Sequence, residues 1–293
     1  MRRFLSVACA WFVLSCNAFG AEPAWFAGHE TDPAAQGRLG WAYMIGDGVE
    51  KDQQKGLTWL NRASAAGDPE AQFMLGCCYH FGMAVPIDRA KAQELYRSAA
   101  GSGHAGAAFN LGNMYYFGDG VAENRAEAVK WFEEAASRGH ARAMFSLALC
   151  CASGDGVAPD KAKAAEWYAK AAEAGDPRAQ FHLGSAYETG DGVPRDRVKA
   201  LSWYKAAAEG GDPRAQETLA RLFVEAQDGT ADPQQAYYWA CRCLLNGVKD
   251  SERTMEKIRR ENGIAPSDAK RLEANAAADT AALLQKKRSQ PMK

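Results

Sequence analysis

The stretch DPRAQFHLGSAYETGDGVPRDRVKALSWYKAAAEGG, residues 176–211, reads as two helices and two turns, and Asp212-Pro213-Arg214-Ala215-Gln216 starts the pattern again. Asp176-Pro177 is a helix start: a carboxylate accepts from the first free amides, and proline suits the first helical position. About thirteen residues on, Gly190 supplies the left-handed residue that stops a helix. Gly190-Asp191-Gly192-Val193 forms a tight turn, Asp196 caps a second helix, and Gly211 closes it.

Outward from this stretch the spacing holds at 36 residues. Leu39, Leu75, Leu111, Leu147, Leu183 and Leu219 keep it, as do Trp59, Trp131, Trp167, Trp203 and Trp239, with Leu95 in the second place. The Gly67, Gly103, Gly139, Gly175, Gly211 and Gly247 series keeps it too. In the first helix of each unit, Phe73, Phe109, Phe145 and Phe181 share a face with the leucines and with Tyr43, Tyr79, Tyr115 and Tyr187. In the second helix, the Trp59 series and the alanines four residues later stack on one face and are read as core. One helix pair cannot bury such a face alone, so neighbours must stack. The expected fold is an all-α, right-handed α/α solenoid of six 36-residue helix–turn–helix repeats over residues 32–247. A C-terminal helical cap, with helices near 251–262 and 266–287 and a frayed tail, completes residues 248–293.

The recurrent Leu-Gly-x-x-Tyr-x-x-Gly-x-Gly-Val of the first helix and turn resembles the Sel1-like repeat family, relatives of the tetratricopeptide repeat. So does Lys-Ala-x-x-Trp-Tyr-x-Lys-Ala-Ala in the second helix, clearest at Lys163–Ala172 and Lys199–Ala207. The sixth unit departs from the pattern, with Ala226 for the helix-ending glycine and Asp228-Gly229 for Gly-Val. The resemblance implies a non-enzymatic protein–protein interaction scaffold or adaptor. Its cysteine-rich branch implies an alternative, a cell-wall-acting or penicillin-binding enzyme. That branch pairs cysteines seven residues apart across the turn between units, and no such pair occurs among the six cysteines that follow residue 20.

Residues 1–20 have a different composition. Arg2 and Arg3 precede the apolar run FLSVACAWFVLS, and Ala18-Phe19-Gly20 before Ala21 fits a signal-peptidase site. Residues 21–31 then form an N-terminal extension. Val13-Leu14-Ser15-Cys16 offers a second route, lipidation at Cys16, which makes an outer-membrane lipoprotein the alternative to a periplasmic or secreted protein. Without Arg2 and Arg3, the 35 basic residues fall to 33 against 36 acidic ones, a net charge of −3. That balance excludes a nucleic-acid footprint, which needs a basic face. No later stretch is long and apolar enough for a transmembrane segment.

Motifs for chemistry are sparse. His104 and His140 hold the same cap position one repeat apart and cannot share a metal, so neither metal nor cofactor is expected. Ser202–Lys205 and Ser267–Lys270 have Ser-x-x-Lys spacing, but Lys205 belongs to the repeat pattern and no companion motif follows. Cys77, Cys78, Cys150, Cys151, Cys241 and Cys243 have no register-compatible partners and are read as small buried hydrophobes.

Residues that change between repeats point to a surface. On the first helices, the registers of residues 34, 38, 41 and 45 avoid the core, and in helical solenoids these helices line the concave side where extended partners lie. The expected partner-binding residues are Arg38, Trp41, Met74, Phe81, Asn113, Phe117, Arg142, Arg178, His182 and Arg214, with a protein or peptide as the partner. The early units are apolar there, and Arg142, Arg178 and Arg214 make a positive ladder. Trp41, Met74 and Phe81 have an alternative role, packing under Trp25 and Phe26.

Overall fold

The computed structural model describes residues 23–225 and 231–289. The leader, Cys16 and the last four residues lie outside them, as does the Ala226 and Asp228-Gly229 departure. Among the described residues every regular element is helical, beginning with a 3-10 turn at Ala24–Phe26. The first unit, up to Ser98, contains α1 (Pro33–Ile45), α2 (Gln53–Ala65), α3 (Pro69–Phe81) and most of α4 (Arg89–Gly101). The second unit, from Ala99, contains α5 (Ala105–Phe117), α6 (Arg125–Ser137), α7 (Ala141–Ser153), α8 (Lys161–Glu173) and α9 (Pro177–Thr189). It continues through α10 (Arg197–Glu209), α11 (Pro213–Glu225), α12 (Pro233–Leu245), α13 (Ser251–Glu261) and α14 (Pro266–Ser289). Odd- and even-numbered helices up to α12 are the first and second helices of six repeats, and within each unit they stack as an α/α solenoid.

The helix boundaries follow from local chemistry. Asp68 accepts from the Ala71 amide at 2.7 Å, and Asp160 from the Lys163 amide at 2.9 Å. Where histidine replaces aspartate the cap survives: His104 Nδ1 and His140 Nδ1 accept from Ala107 and Ala143. Gly190, at φ +84°, is the left-handed stop of α9, and its counterparts behave alike. The turn aspartates also join repeats. Arg125, at the start of α6, donates to Asp155 of the next turn at 2.9 Å, and Lys161 repeats the pairing on Asp191 at 2.8 Å.

The core differs from expectation in the second helices. Trp59, Trp131, Trp167 and Trp203 are half-buried, whereas the residues after them, Leu60, Phe132, Tyr168 and Tyr204, are buried. The reason is the crossing of the paired helices. It sets Gly112 against Phe132 and Gly184 against Tyr204, so the position after the tryptophan points at the partner helix and the indole lies at the rim. A second bond series ties neighbours together: the buried Gln216 donates to the Ala208 carbonyl at 3.0 Å, and Gln180 to that of Ala172 at 3.1 Å.

Beyond the repeats, α13 and α14 pack on α12. Ile258, Ala269, Leu272 and Ala276 complete a core cluster with Leu219, Tyr237 and Trp239. Tyr237 donates to Glu273 at 2.7 Å and Tyr238 to Asp279 at 2.6 Å, which fixes the register of α14. No helix among the described residues is long and apolar enough to cross a membrane.

Candidate interaction face

The first helices present the residues of the candidate face, each unit by itself. In the first unit, Phe81 ends α3 with 63% of its surface exposed, stacked on His80 at 4.5 Å, and Ile45 ends α1 at 52%. Trp41 and Met74 are half-buried and pack on the Leu57–Leu60–Leu75 cluster. The N-terminal segment covers a different place: Phe26 is buried against Leu39, Tyr43 and Trp59, and Trp25 lies 5.6 Å from the Arg38 guanidinium. Phe81 is therefore not beneath it.

In the second unit, Phe117 ends α5 with 71% exposure, edge-on to Tyr116, and Asn113 sits half-buried one turn back. Leu149 of α7 is also exposed. These exposed apolar side chains stand in a molecule whose leucine register is almost wholly buried.

The arginines are not a ladder of equal free charges. Arg178 is held by the buried Asp176 carboxylate at 2.7 Å and lies 4.4 Å over the Phe145 ring of the preceding repeat. Arg214 does the same with Asp212, at 2.8 Å, and Phe181, at 4.4 Å. Their charge is spent on cap carboxylates that the fold needs. At Arg142 the cap is His140, which itself stacks on Phe109 at 4.7 Å, and no ion-pair partner for Arg142 is found among the described residues. Burial, then Arg142, pushes His140 down to about 4, so the ring is neutral and keeps its cap bond.

His182, Arg214 and Tyr168 come together. The His182 ring stacks on Tyr168 at 5.0 Å, and its Nε2 lies 3.3 Å from Arg214 Nη1. A guanidinium only donates, so Nε2 is the acceptor and the proton sits on Nδ1. Burial, with help from Arg214, keeps this imidazole below its usual range. Beside these rings is a cavity of about 150 Å³. Tyr168 was missed by the sequence reading, which took its neighbour Trp167 as core; the signal was the recurrent Tyr or Phe after the tryptophan.

Residues suggestive of chemistry fall elsewhere. No group of three His, Cys, Asp or Glu converges among the described residues. Ser202 is exposed on α10, and the Lys205 ammonium lies 5.7 Å over the Phe223 ring. Cys78, Cys150, Cys151, Cys241 and Cys243 are buried free thiols, and Cys77 is half-buried.

Fold and face define an all-helical repeat protein that displays the variable side of its first helices. The family model described as Sel1 repeat matches residues 33–68, 69–104, 105–140, 141–176, 177–212 and 213–247, and the chain belongs to that family. Sel1 repeat proteins generally mediate protein–protein interaction. A Sel1 repeat protein from Oxalobacter formigenes is 33% identical with a TM-score of 0.71, over 75% of this chain and 91% of that one. The protective antigen c5321 of uropathogenic Escherichia coli, with an SLR fold, is 29% identical with a TM-score of 0.73, over 88% of this chain. The alignment spans 56% of that antigen, a little over half its length. No curated protein gave a significant match.

Proposed function

We propose that the chain is a non-enzymatic scaffold of the bacterial cell envelope that holds a protein or peptide in the groove lined by the first helix of each repeat. The observation that carries this reading is the exposure of Phe81 and Phe117, both large aromatics ending first helices in the same register. Exposed aromatics on a face that also carries half-buried side chains such as Trp41, Met74 and Asn113 are the kind of anchor that concentrates binding energy. Arg142 adds a charge that guides encounter more than it adds affinity. Arg38, Arg178, His182 and Arg214 contribute polar contacts around the anchors. The envelope setting rests on the leader-like residues 1–20 and on bacterial relatives. The test is binding of a captured partner to Phe81→Ala and Phe117→Ala variants, alongside substitutions on second helices. Loss only in the first-helix variants supports the assignment; loss only in the second-helix variants overturns it.

A further inference from the structure

We propose that the cavity beside Tyr168, between α8 and α9, receives the side-chain carboxylate of a glutamate carried on an extended partner segment. The inference rests on the first-helix face being the interaction face, because His182, Ser185 and Thr189 of that face line the cavity.

The argument is a comparison within the chain. One repeat further on, the buried Tyr204 donates its hydroxyl to the Glu188 carboxylate at 2.6 Å. Tyr168 is the counterpart of Tyr204, and Ala152 is the counterpart of Glu188, each 36 residues earlier. Tyr168 is buried in the same way, and no acceptor for its hydroxyl is found among the described residues. Where the glutamate side chain lies in the next repeat, Ala152 and Tyr168 line the cavity of about 150 Å³. That is on the order of five water volumes, enough for a carboxylate and its stem. The repeat itself thus shows which group fits a tyrosine in this position.

The surroundings suit an acidic guest. A phenol donating to a carboxylate makes a short, charge-assisted bond. Arg214 is close enough to act on the Tyr168 hydroxyl, opposing the effect of burial, which pushes that group up to about 12. Lys161 and Asp191, also lining the cavity, are paired with each other at 2.8 Å and leave no net charge of their own. The Thr189 hydroxyl is engaged with the Ser185 carbonyl at 2.9 Å, and Tyr168 offers a buried hydroxyl donor without an acceptor among the described residues.

Tyrosine-ring NMR on the purified full chain tests this, with the Tyr168 signal assigned from Tyr168→Phe. The probes are acetyl-Ala-Ala-Glu-Ala-Ala-amide, its glutamine counterpart, and acetyl-penta-alanine with a free C-terminal carboxylate. The glutamate peptide shifts the Tyr168 signal saturably, and the other two bind at least tenfold more weakly. Ala152→Glu, which supplies the carboxylate from within, removes the response while the circular dichroism spectrum stays unchanged. The proposal is overturned if the glutamate peptide leaves Tyr168 unmoved, if the glutamine or C-terminal probe matches it, or if Ala152→Glu still responds. Shifts along α5, α7 and α9 without Tyr168 reject the cavity and leave the face standing. Shifts confined to the second helices reject both.

Discussion

Gly184 of α9 and Tyr204 of α10 lie so close that a Cβ on the glycine would meet the ring at 2.9 Å. The same approach joins Gly112 and Phe132, so in these repeats the residue after the tryptophan is what locks the two helices together. Phe132→Ala should therefore cost about 3–5 kcal/mol, the range for large core aromatics. Trp131→Ala, at a half-buried position, should cost about half as much. Urea unfolding followed by circular dichroism measures both. An equal or larger loss from Trp131→Ala contradicts the packing described.

Charge reversal separates the arginines. Arg178→Glu sets a second negative charge beside the buried Asp176 and should destabilise the protein by about 2–3 kcal/mol. Arg142→Glu, with no carboxylate to serve, should stay within about 0.5 kcal/mol of the parent. Thermal melts of the two variants give the comparison. If they lose stability equally, Arg178 is not held by its cap.

His140 makes the stability depend on pH. Its folded pKa lies near 4 against an ordinary value of 6.5, so the unfolded chain takes up the proton first as pH falls. Stability from this group is intact above about pH 6.5 and declines towards pH 4. At pH 5 the loss is about 2 kcal/mol, or about 1 kcal/mol after discounting for the ring's partial exposure. His140→Asn keeps a capping side chain and removes the titration. Its melting temperature should fall less between pH 7 and pH 5 than the parent's; parallel slopes would show that His140 is not the sensing group.

The thiols should be slow. Burial pushes Cys78 and Cys241 up to about 12 and Cys150 to about 11, so almost no thiolate is present at pH 8. Iodoacetamide labelling of the folded protein should be at least tenfold slower than in urea, and reductant should leave the melting temperature unchanged. A drop of several degrees on reduction would mean that a disulfide forms.

Much of this was legible in the sequence, and the parts that were not share a cause. The 36-residue register, the aspartate caps and the helix-stopping glycines are local, so Asp176, Gly190 and Asp196 announce themselves. In the second helix the alanines from Ala63 to Ala207 and Trp239 are core as expected, whereas Trp59, Trp131, Trp167 and Trp203 are not, because Trp131 and Phe132 are both large and aromatic and only the crossing with α5 decides which faces inward. The arginine ladder failed because Arg178 and Arg214 recur for a structural reason, pairing with Asp176 and Asp212, and recurrence alone does not separate free charges from spent ones. Gln180 and Gln216 were visible as a repeated Ala-Gln, but the carbonyls they reach belong to the preceding repeat. The cavity at Tyr168 is written in the exchange of Glu188 for Ala152, which acquires meaning only once Tyr204 is seen to need that glutamate.

The most direct measurement is site-specific photo-cross-linking in the native envelope, with benzoylphenylalanine at Phe81, at Phe117, and at Val198, which is 80% exposed on the second helix α10. The scaffold account predicts the same cross-linked protein from Phe81 and Phe117, identified by mass spectrometry, and none from Val198. A partner captured from Val198 but from neither phenylalanine would contradict it.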